Sequence, residues 1–78
     1  MKDETSTKNI YLAAAFITLG ATYDGADKSD PRHMIFSFSG DGVDLDEIET
    51  QWVNSQLRVN AVHFKNALQQ MKAIVHSA

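Results

Sequence analysis

The sequence predicts an α+β domain: a helix, an antiparallel β-hairpin with room for a short third strand, and two C-terminal helices. Three observations carry this. The alanine-rich run from Ile10 to Leu19 has helical spacing, Met34, Phe36 and Phe38 alternate with His33, Ile35, Ser37 and Ser39, and Asp44 and Asn60 each stand where a helix should start. A chain of 78 residues has room for one hydrophobic core, expected over residues 8–78 behind a solvated tail at residues 1–7.

The tail, Met1 to Thr7, is polar and leads into no signal-peptide cleavage site. Ser6 or Thr7 is then placed to cap the first helix, and Gly20 to end it. Because Leu12 to Ile17 leave almost no polar face, this helix is expected to be central and its three alanines to admit a close neighbour. Ala21 to Tyr23 suits a strand and Asp24 to Pro31 a loop, rich as it is in Gly, Asp and Ser before the proline. The return strand, Arg32 to Ser39, should turn Met34, Phe36 and Phe38 towards the core, in contact with Ala13, Ala14 and Ile17. Gly40-Asp41-Gly42 marks the turn that follows.

Asp44 as N-cap puts Glu47 at the third helical position of a capping box, and Val43 with Ile48 forms a hydrophobic staple. The buried stripe of this helix is Leu45, Ile48 and Trp52, and it should fray at Asn54-Ser55. Leu57 and Val59 alternate over a short connector that suits the third strand. Asn60 caps the last helix, with Val59 and Phe64 as its staple and Phe64, Ala67, Leu68, Met71, Ile74 and Val75 as its apolar stripe.

Composition removes several function classes. With no cysteine, disulfides, thiolate metal sites and a thiol nucleophile are excluded, which fits a reducing compartment such as the cytoplasm. The run Ile10 to Ile17 is far short of the roughly 20 residues that cross a bilayer, so no membrane role is expected. Net charge is −3, unevenly spread: residues 24–49 carry eight acids against Lys28 and Arg32, whereas residues 50–78 carry only Arg58, Lys65 and Lys72. An acidic middle of this kind steers towards a basic partner surface.

The segments Tyr11-Leu12-Ala13-Ala14-Ala15-Phe16 to Gly20, Met34-Ile35-Phe36-Ser37-Phe38, Trp52 near Asn54, Val59-Asn60, Phe64 and Ala67-Leu68 together resemble a family of short bacterial and bacteriophage proteins of unknown function. The resemblance runs from about Lys8 to Val75. It implies a helix-first α+β fold and a phage or mobile-element setting, in which such proteins often bind and redirect host complexes, defence complexes among them. It brings no catalytic residue.

The remaining candidates come from the residues themselves. Asp41, Asp46 and Glu49 are the candidate partner-binding acids, set beside the cap pair Asp44 and Glu47. They do not make a calcium loop, because Ile48 interrupts the oxygen ligands and no glycine follows. His33, His63 and His76 lack metal-ligand spacing, Gly40 and Gly42 lack the rest of a phosphate loop, and Ser37, Ser39 and Ser55 stand in no nucleophile elbow. The expectation is therefore a non-enzymatic protein with no metal and no cofactor, acting as an inhibitor of a protein partner. The competing expectation is a nucleic-acid-binding regulator using Arg58, Lys65 and Lys72 on the last helix and the approach to it, disfavoured by the acidic composition. Tyr11 and Trp52 are candidate interface aromatics, and exposure of either beside Ile35 would suit a homodimer.

Overall fold

The computed structural model describes residues 4–30, 32–40 and 42–77. Its elements are strand β1 (Glu4–Thr7), helix α1 (Ile10–Thr18), strands β2 (Thr22–Asp27) and β3 (Ile35–Ser39), and helices α2 (Leu45–Val53) and α3 (Ala61–His76). The expected α+β fold is present, with an antiparallel sheet, a helix before the hairpin and two helices after it. The strands lie in the order β1-β3-β2, both pairings antiparallel.

The inner face of the sheet is set by β3. Met34, Phe36 and Phe38 are buried and pack with Ala13, Ala14 and Phe16 of α1, while Ile17 is half-buried at the edge of the same cluster. The anticipated register therefore holds, and Ile35, Ser37 and Ser39 lie on the opposite face. Phe38 is the centre of an aromatic group, with its ring centroid 5.2 Å from that of Phe16 and 5.6 Å from that of Tyr23. Tilted rings at such spacing add about 0.5–1.5 kcal/mol to their area burial. Four consecutive residues of α1, Ala13 to Phe16, are fully enclosed. This follows from the helix having the sheet on one side and α3 on another, and small alanines permit both approaches.

Four local expectations are corrected. The return strand starts at Ile35 and not at Arg32, because Asp30 holds the amides of Arg32 and His33 in a turn. The segment read as a tail forms β1 from Glu4 onwards, and this supplies the third strand in place of Leu57–Val59, whose connector stays irregular. Thr5 and Thr7 stand opposite Phe38 and Phe36 on the inner face, and their branched side chains suit a pleated surface. The cap of α1 is Asn9, whose Oδ1 accepts from the amides of Tyr11 and Leu12. Neither Ser6 nor Thr7 takes that place, although the Thr7 hydroxyl accepts from the Asn9 amide at 3.0 Å. β2 runs on to Asp27, through residues read as loop, because Asp24 forms a bulge between the Tyr23–Phe38 and Gly25–Ser37 pairs. Tyr23 and Ala26 thus both sit opposite inner-face residues, three positions apart, and simple alternation is lost.

The other two helix starts carry their expected N-caps, although the capping box at α2 is only half formed, since the Glu47 carboxylate accepts from Gln51 and not from the Asp44 amide. Asp44 Oδ1 accepts from the Glu47 amide at 3.1 Å, and Asn60 Oδ1 accepts from Val62 and His63. At the end of α1 the amide of Gly20 bonds to the carbonyl of Ile17 and that of Ala21 to the carbonyl of Phe16, a Schellman motif with Gly20 at φ +99°. Gly40 is required by space: a Cβ there would lie 2.6 Å from the Val43 carbonyl oxygen and 2.9 Å from the buried Leu45 side chain.

Candidate interaction groove

A groove of about 480 Å³ opens where α1, the end of α2, the connector 54–60 and the start of α3 meet. Its lining is Tyr11, Ala15, Trp52, Ser55, Leu57, Val59 and Phe64. Each is placed by a local rule already described. Trp52 continues the Leu45, Ile48 spacing of α2 by one further turn, but against the expectation of a buried stripe it is only half-buried and stands outside the core cluster, because the last turn of α2 borders the groove. Phe64 and Val59 flank the Asn60 cap, and Leu57 and Phe64 pack against the core. Tyr11, in the first turn of α1, keeps 51% of its surface exposed and forms one wall. Large aromatics with an apolar body and a polar tip are the groups that most often anchor interfaces.

The backbone at the groove is unusual in one place. Ser55 adopts φ +57°, the left-handed region, and is the only non-glycine residue to do so among those described. The cause is the end of α2, where the Ser55 amide bonds to the Trp52 carbonyl and the Gln56 amide to the Gln51 carbonyl at 2.8 Å. This motif favours glycine at that position, so serine carries a conformational cost of about 1 kcal/mol. Non-glycine residues held in such regions cluster at functional sites.

The acidic candidates divide. Asp46 and Glu49 lie one turn apart on α2 and are both half-buried. Glu49 accepts a hydrogen bond from the Thr5 hydroxyl, so its carboxylate ties α2 to the edge strand β1. Glu47 Oε1 accepts from Gln51 Nε2 at 2.9 Å, one turn further on. Asp41 lies outside the described residues. Of the basic candidates, Arg58 is exposed on the connector between the groove residues Leu57 and Val59. Lys65 and Lys72 are exposed two turns apart on α3, and His63 and His76 are exposed at its two ends. Tyr11 and Ile35 do not form one patch, since Ile35 lies on the sheet face turned away from the helices.

A second hollow, of about 510 Å³, lies on that outer face against Glu4, Ser6, Asp24, Ser37 and Ser39, with the Ser39 hydroxyl donating to Asp24 Oδ1 at 3.2 Å. Its polar, shallow lining offers no anchor of the kind that Tyr11 and Trp52 offer. Of the groove residues only Tyr11 and Trp52 were marked by sequence reasoning as interface candidates, whereas Ala15, Ser55, Leu57, Val59 and Phe64 were read for other places in the fold. The signal for Leu57 was present, in its alternation with Val59, but it pointed equally to a strand.

Burial pushes the Tyr23 phenol above its ordinary value. The Asp27 carboxyl is held below its own, by the Ser29 hydroxyl and then by the Ser29 amide. Both lie on β2, away from the groove lining. Among the described residues no group of three or more His, Asp or Glu side chains is placed to hold a metal ion, and no helix is long and apolar enough to cross a membrane. Compared with protein-family models, curated proteins and solved structures, the chain matches none.

Proposed function

We propose that this chain is a small non-enzymatic interaction protein that captures a protein partner in the groove between α1, α2 and α3. The observation that carries the reading is the groove itself, in which exposed Tyr11 and half-buried Trp52 stand beside the strained Ser55. The occupant is a partner segment with a bulky apolar side chain next to lysine or arginine. The apolar residue fills the space over Leu57, Val59 and Phe64. The basic one meets α2, whose first two turns carry Asp46, Glu47 and Glu49. Asp46 is the acid chosen for direct recognition, with Asp41 preceding the helix, while Glu49 both contributes charge and holds β1 in place. The resemblance to short phage and bacterial proteins supplies the setting: the cytoplasm of a bacterial host, with a host defence complex as the partner and inhibition as the outcome. The reading needs no cofactor.

The test uses the single tryptophan of the chain, which lies in the groove. Proteins captured from a bacterial host by the wild-type chain are purified and titrated against it while Trp52 emission is followed. Tyr11→Ala should weaken the complex at least about tenfold, and Asp46→Lys should slow its formation, with both variants melting like the wild type. Unchanged affinity in Tyr11→Ala would overturn the reading. The nucleic-acid reading makes a different demand: a DNA or RNA complex that weakens steeply with salt and is lost on Lys65→Glu and Lys72→Glu.

A further inference from the structure

Beside the last turns of α3 a separate hollow of about 290 Å³ is lined by Lys8, Ile10, Arg32, His33, Met34, Phe36 and Val75. We propose that it binds a phosphate monoester with a compact apolar body. The lining has two parts. Ile10, Met34, Phe36 and Val75 come from α1, β3 with its approach, and α3, and they form an apolar floor continuous with the core. Above it stand Lys8, from the residue pair before α1, and Arg32 and His33, from the turn before β3. Two separated stretches of chain thus bring three nitrogen-bearing side chains to one mouth.

The turn is fixed by Asp30, whose Oδ1 accepts from the Arg32 amide and whose carbonyl accepts from the His33 amide, both at 3.0 Å. The Asp30 carboxylate is thereby directed at the backbone. Neither Lys8 nor Arg32 has a carboxylate partner among the described residues. The two formal cations match the charge of a phosphate monoester, which is close to −2 at neutral pH, better than that of a carboxylate. Arg32 supplies a planar fork for two phosphate oxygens, Lys8 a point charge, and His33 a ring nitrogen as a further donor. The apolar floor selects for a ring or short chain on the ester oxygen and against inorganic phosphate. This site shares no residue with the groove, so its failure would leave the groove reading standing.

The test is a titration of the isotope-labelled protein with phenyl phosphate, followed by amide chemical shifts. Saturable shifts are expected at Lys8, Ile10, Arg32, His33 and Val75, with inorganic phosphate at least about tenfold weaker and phenol without effect. The variant Lys8→Gln/Arg32→Gln, altered only at exposed positions, should lose at least about tenfold in affinity and keep the wild-type spectrum elsewhere. A phosphotyrosine tripeptide distinguishes the source of the ester: binding equal to phenyl phosphate assigns a free small molecule, and binding about tenfold tighter assigns a phosphorylated side chain. No saturable shift at these amides up to about 10 mM phenyl phosphate, or affinity unchanged in the double variant, would overturn the proposal.

Discussion

Helices α1 and α2 end with the same pair of backbone hydrogen bonds, yet the two ends are built for different surroundings. At α1 the left-handed residue is Gly20, and the next residue, Ala21, is buried against the core that includes Phe16. At α2 the left-handed residue is Ser55, and the next residue, Gln56, is exposed. The first end has a residue suited to its backbone and an apolar contact that locks the turn. The second has neither, and it borders the groove. A hydrogen-bond pattern therefore does not by itself say how firmly a helix is stopped: the residue at the left-handed position and the burial of its successor decide that.

The comparison can be broken most severely at Phe16, which is fully buried and both closes the α1 turn through its carbonyl and stacks on Phe38. Phe16→Ala should cost about 3–5 kcal/mol, read as a lowered midpoint of urea unfolding, since the cavity lies where relaxation is most restricted. Gly20→Ala isolates the backbone alone. Its Cβ would meet only the Val43 side chain at an ordinary 3.6 Å, so the expected loss of about 1–2 kcal/mol comes from φ +99°. A neutral result would show that the end of α1 is held by Ala21 burial rather than by glycine. Ser55→Gly should act in the opposite direction, stabilising by about 0.5–1 kcal/mol and raising the melting temperature by a few degrees. If the substitution destabilises instead, the α2 end is not strained and that support for the groove is lost.

The smallest expected effect is confined to alkaline solution. Burial raises the Tyr23 pKa, so above the ordinary phenol value of about 10 the unfolded chain releases this proton while the folded one retains it. Stability is unaffected by this group below that pH and falls as pH rises beyond it. Tyr23→Phe should remove that part of the alkaline loss, and melting curves of the two proteins at neutral and alkaline pH would show it as a narrowing difference.

Legibility from the sequence followed the strength of the local rule. β3 and α3 were readable because their apolar residues keep one period throughout, and α2 because Asp44, Val43 and Ile48 specify its first turn jointly. β1 was not, since Glu4-Thr5-Ser6-Thr7 contains no hydrophobic residue and its inward positions are threonines. Only the β-branching of Thr5 and Thr7 marks a strand, and at Thr7 that signal competed with its fitness as a cap. The bulge at Asp24 hid the second half of β2 by moving Ala26 out of phase with Tyr23. The groove was half legible. Helical spacing placed Trp52 with Ile48, but its partial exposure depends on how far the connector 54–60 covers it, which no pattern in that connector specifies.

The position of β1 also bears on how the chain is made. Translation delivers this strand before the groups that hold it: its partner β3 and the Glu49 carboxylate that receives the Thr5 hydroxyl come later, the last of these 44 residues downstream. Until β3 has left the ribosome, Thr5 and Thr7 have no strand to pair with, and the β3 that then emerges pairs with β2 on its other edge. β1 is thus made before the strand it pairs with, and one edge of β3 stays open to other strands until β1 docks on it.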